Sequence, residues 1–278
     1  MHRHTCLSLV VLLLACVSAS GETEQEKELF IFINSERSRV RLELLQWDKS
    51  LYRVAVAHSK DMAGMRKVTH KGSDNTQPHD RVRGANIFAS KTAENIAGDI
   101  NIISAHTSLM KSLYHRENIL DPDFSHGAVA VQNQDGYLYI TEVFIRKVGD
   151  YAVEEARRLI LDQMNRLRQD HNLPPLAMSK SLSGVAQSHV DVQIKLGAMS
   201  PLLIMSVLSR QMKSSLLVNV YTTSDLKDIP EELRSNVKLE NKQIGIGFKR
   251  ARGSICLNGC YVIALIFGSN MVQPKAGG

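Results

Sequence analysis

Aromatic residues make up only 5% of this 278-residue chain, and there is a single tryptophan. A surface that read nucleic acid by stacking would need more of them. No Asn-x-Ser/Thr triplet occurs, so N-glycosylation is not implied. No apolar run reaches the roughly 20 residues that a membrane-spanning helix needs. Neither charge dominates: 34 Lys and Arg stand against 28 Asp and Glu, for a net charge of +6. The two signs are interspersed, which describes a solvated surface, not a binding stripe. No His-Glu-x-x-His helix motif is present, which argues against a zincin protease. Ser59, Ser90 and Ser112 lie near other polar motifs, but none sits in a nucleophile elbow.

Residues 1–21 read as a targeting segment. Met1-His2-Arg3-His4 is a short basic start, and Leu7–Cys16 is its apolar core. Two processing readings stay open. Leu13-Leu14-Ala15-Cys16 has the form of a bacterial lipobox, which would leave Cys16 as a lipidated N-terminus and a membrane anchor. Ala19-Ser20-Gly21 has the small residues of an ordinary signal-peptidase site. Beyond this segment only Cys256 and Cys260 remain. They flank Leu257-Asn258-Gly259, where Asn-Gly is a hairpin turn signal. They are either bridged or a reduced, half-buried pair, and Cys-x3-Cys alone is poor evidence for zinc.

The chain also resembles itself. At a shift of 131 residues, Asn34, Arg37, Leu45, Lys49, Ser50, Leu51, Val54, Ala55 and His58 recur as Asn165, Arg168, Leu176, Lys180, Ser181, Leu182, Val185, Ala186 and His189. At a shift of 118, His115-Arg-Glu-Asn-Ile with Gly127 recurs as Leu233-Arg-Ser-Asn-Val with Gly245. A period this long implies two copies of a whole domain. The expected division is a leader over 1–21, a first domain over 22–148 and a second over 149–278.

Periodicity predicts helices over Gln25–Arg41 and from Asp48, a natural N-cap, onward. Further helices are expected over Ala105–Tyr114, Val153–Arg168 and Lys180–Leu196. Residues 75–83 read as a loop. Strands are expected over Ala128–Gln132, Tyr137–Arg146, Ile244–Phe248 and Tyr261–Gly268. Helices first and an antiparallel hairpin last point to an α+β fold.

Several separated motifs in the first copy now line up. An Asn-x-x-Arg helix precedes Leu51-x3-Ala55-x2-His58-Ser59 and Asp61-Met62. Thr69-His70, Glu94-Asn95-Ile96-Ala97, His115-Arg116-x-Asn118-Ile119-Leu120 and Tyr139–Phe144 follow. In order and spacing, residues 28–146 resemble a bacterial member of the CAP superfamily. That superfamily includes cysteine-rich secretory proteins, insect venom antigen 5 and plant pathogenesis-related proteins. Residues 153–268 resemble it mainly through the internal match. The resemblance implies two tandem α-β-α sandwich domains of CAP type, with a cleft that in many members holds two histidines and two glutamates. Carried over, these are His70, Glu94 and His115. The position of the second glutamate is vacant, since Ser104–Tyr114 contains no carboxylate. Leu109 stands where a tryptophan is common, and Ala128 and Ala130 where glycines are common.

His70 and His115 are the residue types that hold a divalent ion such as Zn, and Glu94 could ligate it or orient a ring. The competing reading is a hydrogen-bonded polar cluster that ties loops together. In the second copy Pro201 and Leu233 replace the histidines, and Leu216–Val220 lacks a carboxylate, so that copy reads as degenerate scaffold. His58 and His189 occur in both copies and read as packing residues. His79 and His126 read as exposed. The expected function is an exported, non-enzymatic binding protein, secreted or lipid-anchored in the bacterial cell envelope. Its ligand would be a lipid-like small molecule or a partner protein. The alternative is a metal-dependent hydrolase, a protease or esterase of the envelope.

Overall fold

A computed structural model describes residues 21–199, 216–226, 230, 233, 242–257 and 259–268. Most of the leader with its Cys16, and the positions of Pro201 and Asn258, lie outside these residues. The chain orders as α1 (Glu24–Arg39), β1 (Gln46–Trp47), α2 (Lys49–Met65), α3 (Pro78–Gly84), β2 (Ala89–Asp99), α4 (Ile102–Lys111), α5 (Leu113–Ile119), β3 (His126–Gln134) and β4 (Tyr137–Lys147). It continues with α6 (Val153–Asp170), β5 (Ala177–Met178), α7 (Lys180–Leu196), β6 (Leu217–Thr223), β7 (Gln243–Ala251) and β8 (Cys260–Gly268). Two four-stranded sheets result, ordered β1-β3-β4-β2 and β5-β7-β8-β6. The fold is α+β, and each sheet is the middle layer of an α-β-α sandwich.

Strand alternation builds the first sandwich, because successive side chains on β3 and β4 face opposite layers. Val129, Ile140 and Phe144 join Leu29, Ile33, Leu109 and Ile119 on the α1, α4 and α5 side. Ala128, Ala130, Val143 and Ile145 join Leu51, Val54, Ala55 and Val82 on the α2 and α3 side. Asp48 caps α2, accepting from the amides of Ser50 and Leu51. The turn after β3 carries Asp135 at φ 55° and Gly136 at φ 86°, both in the left-handed region that tight hairpins require.

The recurring Asn and Arg positions have a concrete role. Asn34 Nδ2 donates to the Leu45 carbonyl, and its Oδ1 accepts from the Leu45 amide. Asn165 makes the same pair of bonds with Leu176. Arg37 is fully buried and donates to the carbonyls of Glu43, Ile119, Asp121 and Phe124. Arg168, also buried, donates to the Pro174 carbonyl. In each half the first helix therefore grips the chain leading into the edge strand.

Four expectations are corrected. Residues 75–83 are not all loop, because Pro78 at the first helical position and Asp80, which accepts from the Gln77 amide, start the short helix α3. The expected helix 105–114 is two helices that meet at Ser112, whose backbone is extended there. Strands β2 and β6 were not expected. Neither shows clean alternation, and both are defined by pairing along β4 and β8. The match of Gly127 with Gly245 is one residue out of register. Trp47 pairs with Gly127, and its repeat Met178 pairs with Ile244.

Gly245 and Gly247 thus correspond to Ala128 and Ala130. The reason they are glycines is close approach. A Cβ on Gly245 would lie 2.2 Å from the Leu182 carbonyl carbon, and one on Gly247 2.2 Å from the Ala186 oxygen. Helix α7 lies directly on β7 there.

Arg37→Ala should destabilise the chain by about 3 kcal/mol or more, since four carbonyls, those of Ile119 and Phe124 on buried residues, lose their donor. Urea unfolding measures this, and a loss below about 1 kcal/mol would mean that water replaces the guanidinium at little cost.

Candidate functional site

Glu94 stands on β2 opposite Val143 and so faces the α2 and α3 layer. Its side chain is 1% exposed. A carboxylate this deep is stable only when paired. His70 Nδ1 donates to its Oε1 at 2.9 Å, and Arg81 Nη2 donates to its Oε2 at 2.6 Å. Arg81, from α3, also donates to the Thr76 carbonyl at 3.0 Å. His58, from α2, donates through Nε2 to the Thr69 carbonyl at 2.9 Å, and that nitrogen lies 3.7 Å from Glu94 Oε1. The carboxylate therefore ties together β2, α3, α2 and the loop bearing His70.

His70 is 47% exposed at its side chain and lies at the rim. His115 is half-buried on α5. Burial first, and the neighbouring His70 second, hold its imidazole below the ordinary histidine range. Burial does the same to His58; Glu94 pulls it back up and Arg81 pushes it further down. Both rings are thus neutral near pH 7, the form that can ligate a metal. Beside this cluster, a cavity of about 540 Å³ is lined by Arg53, His58, Asp61, Asp74 and Arg81.

The residues meet some of zinc's requirements and not others. Glu94 holds His70 through Nδ1, as a carboxylate orients a metal-binding imidazole, and leaves Nε2 free. Both Glu94 oxygens are already engaged, one by a guanidinium, so Glu94 is not available as a ligand. Among the described residues no group of three or more His, Cys, Asp or Glu could hold a metal ion.

His70, Glu94 and His115 were expected together. The structure pairs His70 with Glu94 directly and sets His115 near His70. Arg81 was missed, because its segment read as loop; Pro78 and Asp80 were the available signals. His58 packs, as expected, but also touches the carboxylate. His79 is exposed, whereas His126 is half-buried at the start of β3.

A second polar network lies on the other face of the sheet. Asn95 Nδ2 donates to the His115 carbonyl at 3.1 Å and to Glu142 Oε2 at 3.0 Å. Its Oδ1 accepts from Asn118 at 2.9 Å. Glu142 is fully buried, and its Oε1 has no partner. Burial pushes its carboxyl up to about 7, against the bond from Asn95.

In the second half Phe267 pairs with Leu217 as Phe144 pairs with Ala93. That register sets Val218 in the place of Glu94 and Leu265 in the place of Glu142. Leu233 is buried in the second core. The Cys256 and Cys260 sulfurs are bridged, which resolves the alternatives left open by their spacing.

Residues 30–146 match the family model of CAP, the cysteine-rich secretory protein family. The first half is therefore similar to a CAP domain over those residues. Among its relatives is the uncharacterized protein YkwD of Bacillus subtilis, 33% identical over 115 residues, which are 41% of this chain and 44% of that protein. An extracellular protein containing an SCP domain from Bacillus anthracis is 31% identical, with 44% of this chain and 40% of that chain covered and a TM-score of 0.41. The chain thus spans under half the length of these two relatives. The crystal structure of Na-ASP-1 covers 91% of this chain and 92% of its own at 10% identity, with a TM-score of 0.50, a likeness of fold alone.

Glu142 sets a pH dependence. Its folded value of about 7 lies above the ordinary 4.5, so the stability it contributes is complete below pH 4.5 and is lost as pH rises towards 7. The loss should be of order 3 kcal/mol. Glu142→Gln should remove it, so urea midpoints of the variant should exceed those of the native chain at pH 8 and not at pH 4. Parallel pH profiles for the two proteins would show that Glu142 does not titrate in this range.

Proposed function

We propose that this chain is an exported CAP-domain binding protein that is not an enzyme. The observation that carries the reading is the double engagement of Glu94. A carboxylate held by Arg81 and His70 is free neither to take a proton as a general base nor to complete a metal-water site. A metal-dependent hydrolase that used Glu94 as its base or ligand would need one of those roles filled, and the position of a second glutamate is vacant.

In this reading His70 and His115 bind a divalent ion such as Zn weakly at the cleft rim, with Glu94 orienting His70. The cleft and its neighbouring surfaces take a lipid-like small molecule or a partner protein. The domains run over 22–148 and 149–278, the second being a degenerate copy of the first. Three observations support that division: the shared sheet order, the repeated Asn–Leu clamp, and the apolar Val218 at the Glu94 position. Export by the segment 1–21 leaves the protein secreted or held to the cell envelope through a lipidated Cys16. The printed description of the Bacillus anthracis relative as extracellular supports export.

Calorimetric titration of the full chain with zinc, beside assays on peptide and ester libraries, tests this. The expected result is micromolar or weaker zinc binding that is lost in His70→Ala with His115→Ala, and no turnover. Zinc-dependent turnover abolished by Glu94→Gln would establish the hydrolase instead.

A further inference from the structure

The two halves meet at Phe88. Its carbonyl accepts from the Val148 amide at 2.9 Å, and its ring enters the second half. The guanidinium of Arg250 stands 4.1 Å from the ring centroid and that of Arg252 4.5 Å. Gly259, at φ +121°, presses on the same ring, where an added Cβ would lie 2.9 Å from Phe88 Cδ1. Arg252 leaves the end of β7 and Gly259 enters β8. The last rung of that ladder pairs Ala251 with Cys260, and the Cys256–Cys260 bridge closes the loop between them.

Arg252 reaches further than Phe88. Its Nη1 donates to the Arg83 carbonyl at 2.9 Å and to the Ile87 carbonyl at 3.5 Å, and its Nη2 donates to Asn86 Oδ1. These acceptors are the C-terminal end of α3, where Asn86 turns left-handed at φ 64°. The Arg83 carbonyl also accepts from the Asn86 amide at 3.0 Å, and carbonyls at a helix C-terminus carry partial negative charge, so a cation there stabilises the helix. α3 has seven residues, too few to hold without tertiary support. It is also the helix that supplies Arg81 to Glu94.

We propose that the β7–β8 hairpin loop of the second half, kept closed by its disulfide, caps α3 through Arg252 and thereby positions Arg81 on Glu94. Arg252 is a positioning residue that acts on the His70–Glu94 cluster from another unit. This assigns the second half a task that needs no ligand site of its own. It goes beyond the proposed function, and its readouts are independent of zinc or ligand binding.

The test uses the full, disulfide-bonded chain. Hydrogen exchange is followed at the Ala85 amide, which bonds to the Arg81 carbonyl. The Arg81 side-chain Nε–H resonance is followed by NMR. Arg252→Ala should speed Ala85 exchange about tenfold and shift or broaden the Arg81 resonance. Amides of α7 such as Val190 should keep their rates. Arg252→Lys, which keeps a cation at the helix end, should restore part of the protection. A dithiol reductant transfers two hydrogens to the bridge, leaving Cys256 and Cys260 as thiols and itself as a cyclic disulfide. That treatment, or Cys256→Ser with Cys260→Ser, should move both signals the same way. An unchanged Ala85 rate and Arg81 resonance in Arg252→Ala would overturn the proposal. So would uniform acceleration across both halves, which would reduce Arg252 to a contributor to global stability. No response to opening the bridge would overturn the disulfide's part in it.

Discussion

A carboxylate inside a protein must find its charge partners among the side chains and loops around it, and Glu94 organises the first half on those terms. Left unpaired, it would cost several kcal/mol of desolvation. Its pairing with Arg81 gives α3 a fixed place. Its pairing with His70 gives the loop after α2 a fixed end. His58 beneath it holds the Thr69 carbonyl and so secures the same loop from inside. The cluster is architecture and candidate site at once: the bonds that make Glu94 tolerable also occupy both of its oxygens.

Comparing the halves separates the two roles. Each keeps the asparagine clamp, the buried arginine on its first helix and the sheet order. These features depend on backbone groups, which do not change when side chains do. The polar cluster is a matter of side chains alone, and at its centre the second half carries Val218. With no buried charge to satisfy on that face, Gly245 and Gly247 let α7 settle on β7 and close the layer by packing.

Much of this was legible in the sequence. Long helices with one apolar face, such as α2 and α7, show their period directly, and Asp48 marks a start. The order of motifs around His70, Glu94 and His115 carried a family resemblance, and it was the resemblance that implied one cleft. Other features were not legible, for physical reasons. β2 carries Lys91, Thr92, Glu94 and Asn95 with only Ala93 among them and has no clean apolar alternation, since both its faces meet polar partners. Arg81 is one of many arginines until the fold sets it on a carboxylate. The role of Arg252 depends on contacts between units more than 160 residues apart in sequence, as its bonds to Arg83 and Asn86 show. The one-residue error at Gly245 has the same origin: sequence identity aligned two glycines, whereas pairing with the edge strand sets the register.

The neighbours Glu94 and Asn95 show why register matters so much here. Consecutive residues of a strand face opposite layers. Glu94 looks to α2 and α3, while Asn95 looks to α5 and spends both its donor hydrogens and its acceptor on the His115 carbonyl, Glu142 and Asn118. Two adjacent residues thus fasten both helical layers to one strand. A slip of β2 by one residue would turn a carboxylate towards Glu142 and an amide towards Arg81, leaving two buried carboxyl groups facing each other on one side and a guanidinium without its anion on the other. The register of β2 against β4 is therefore fixed by charge as well as by backbone hydrogen bonds. That fixation brings the His115 backbone on one face and the His70 ring on the other to the same point along the strand.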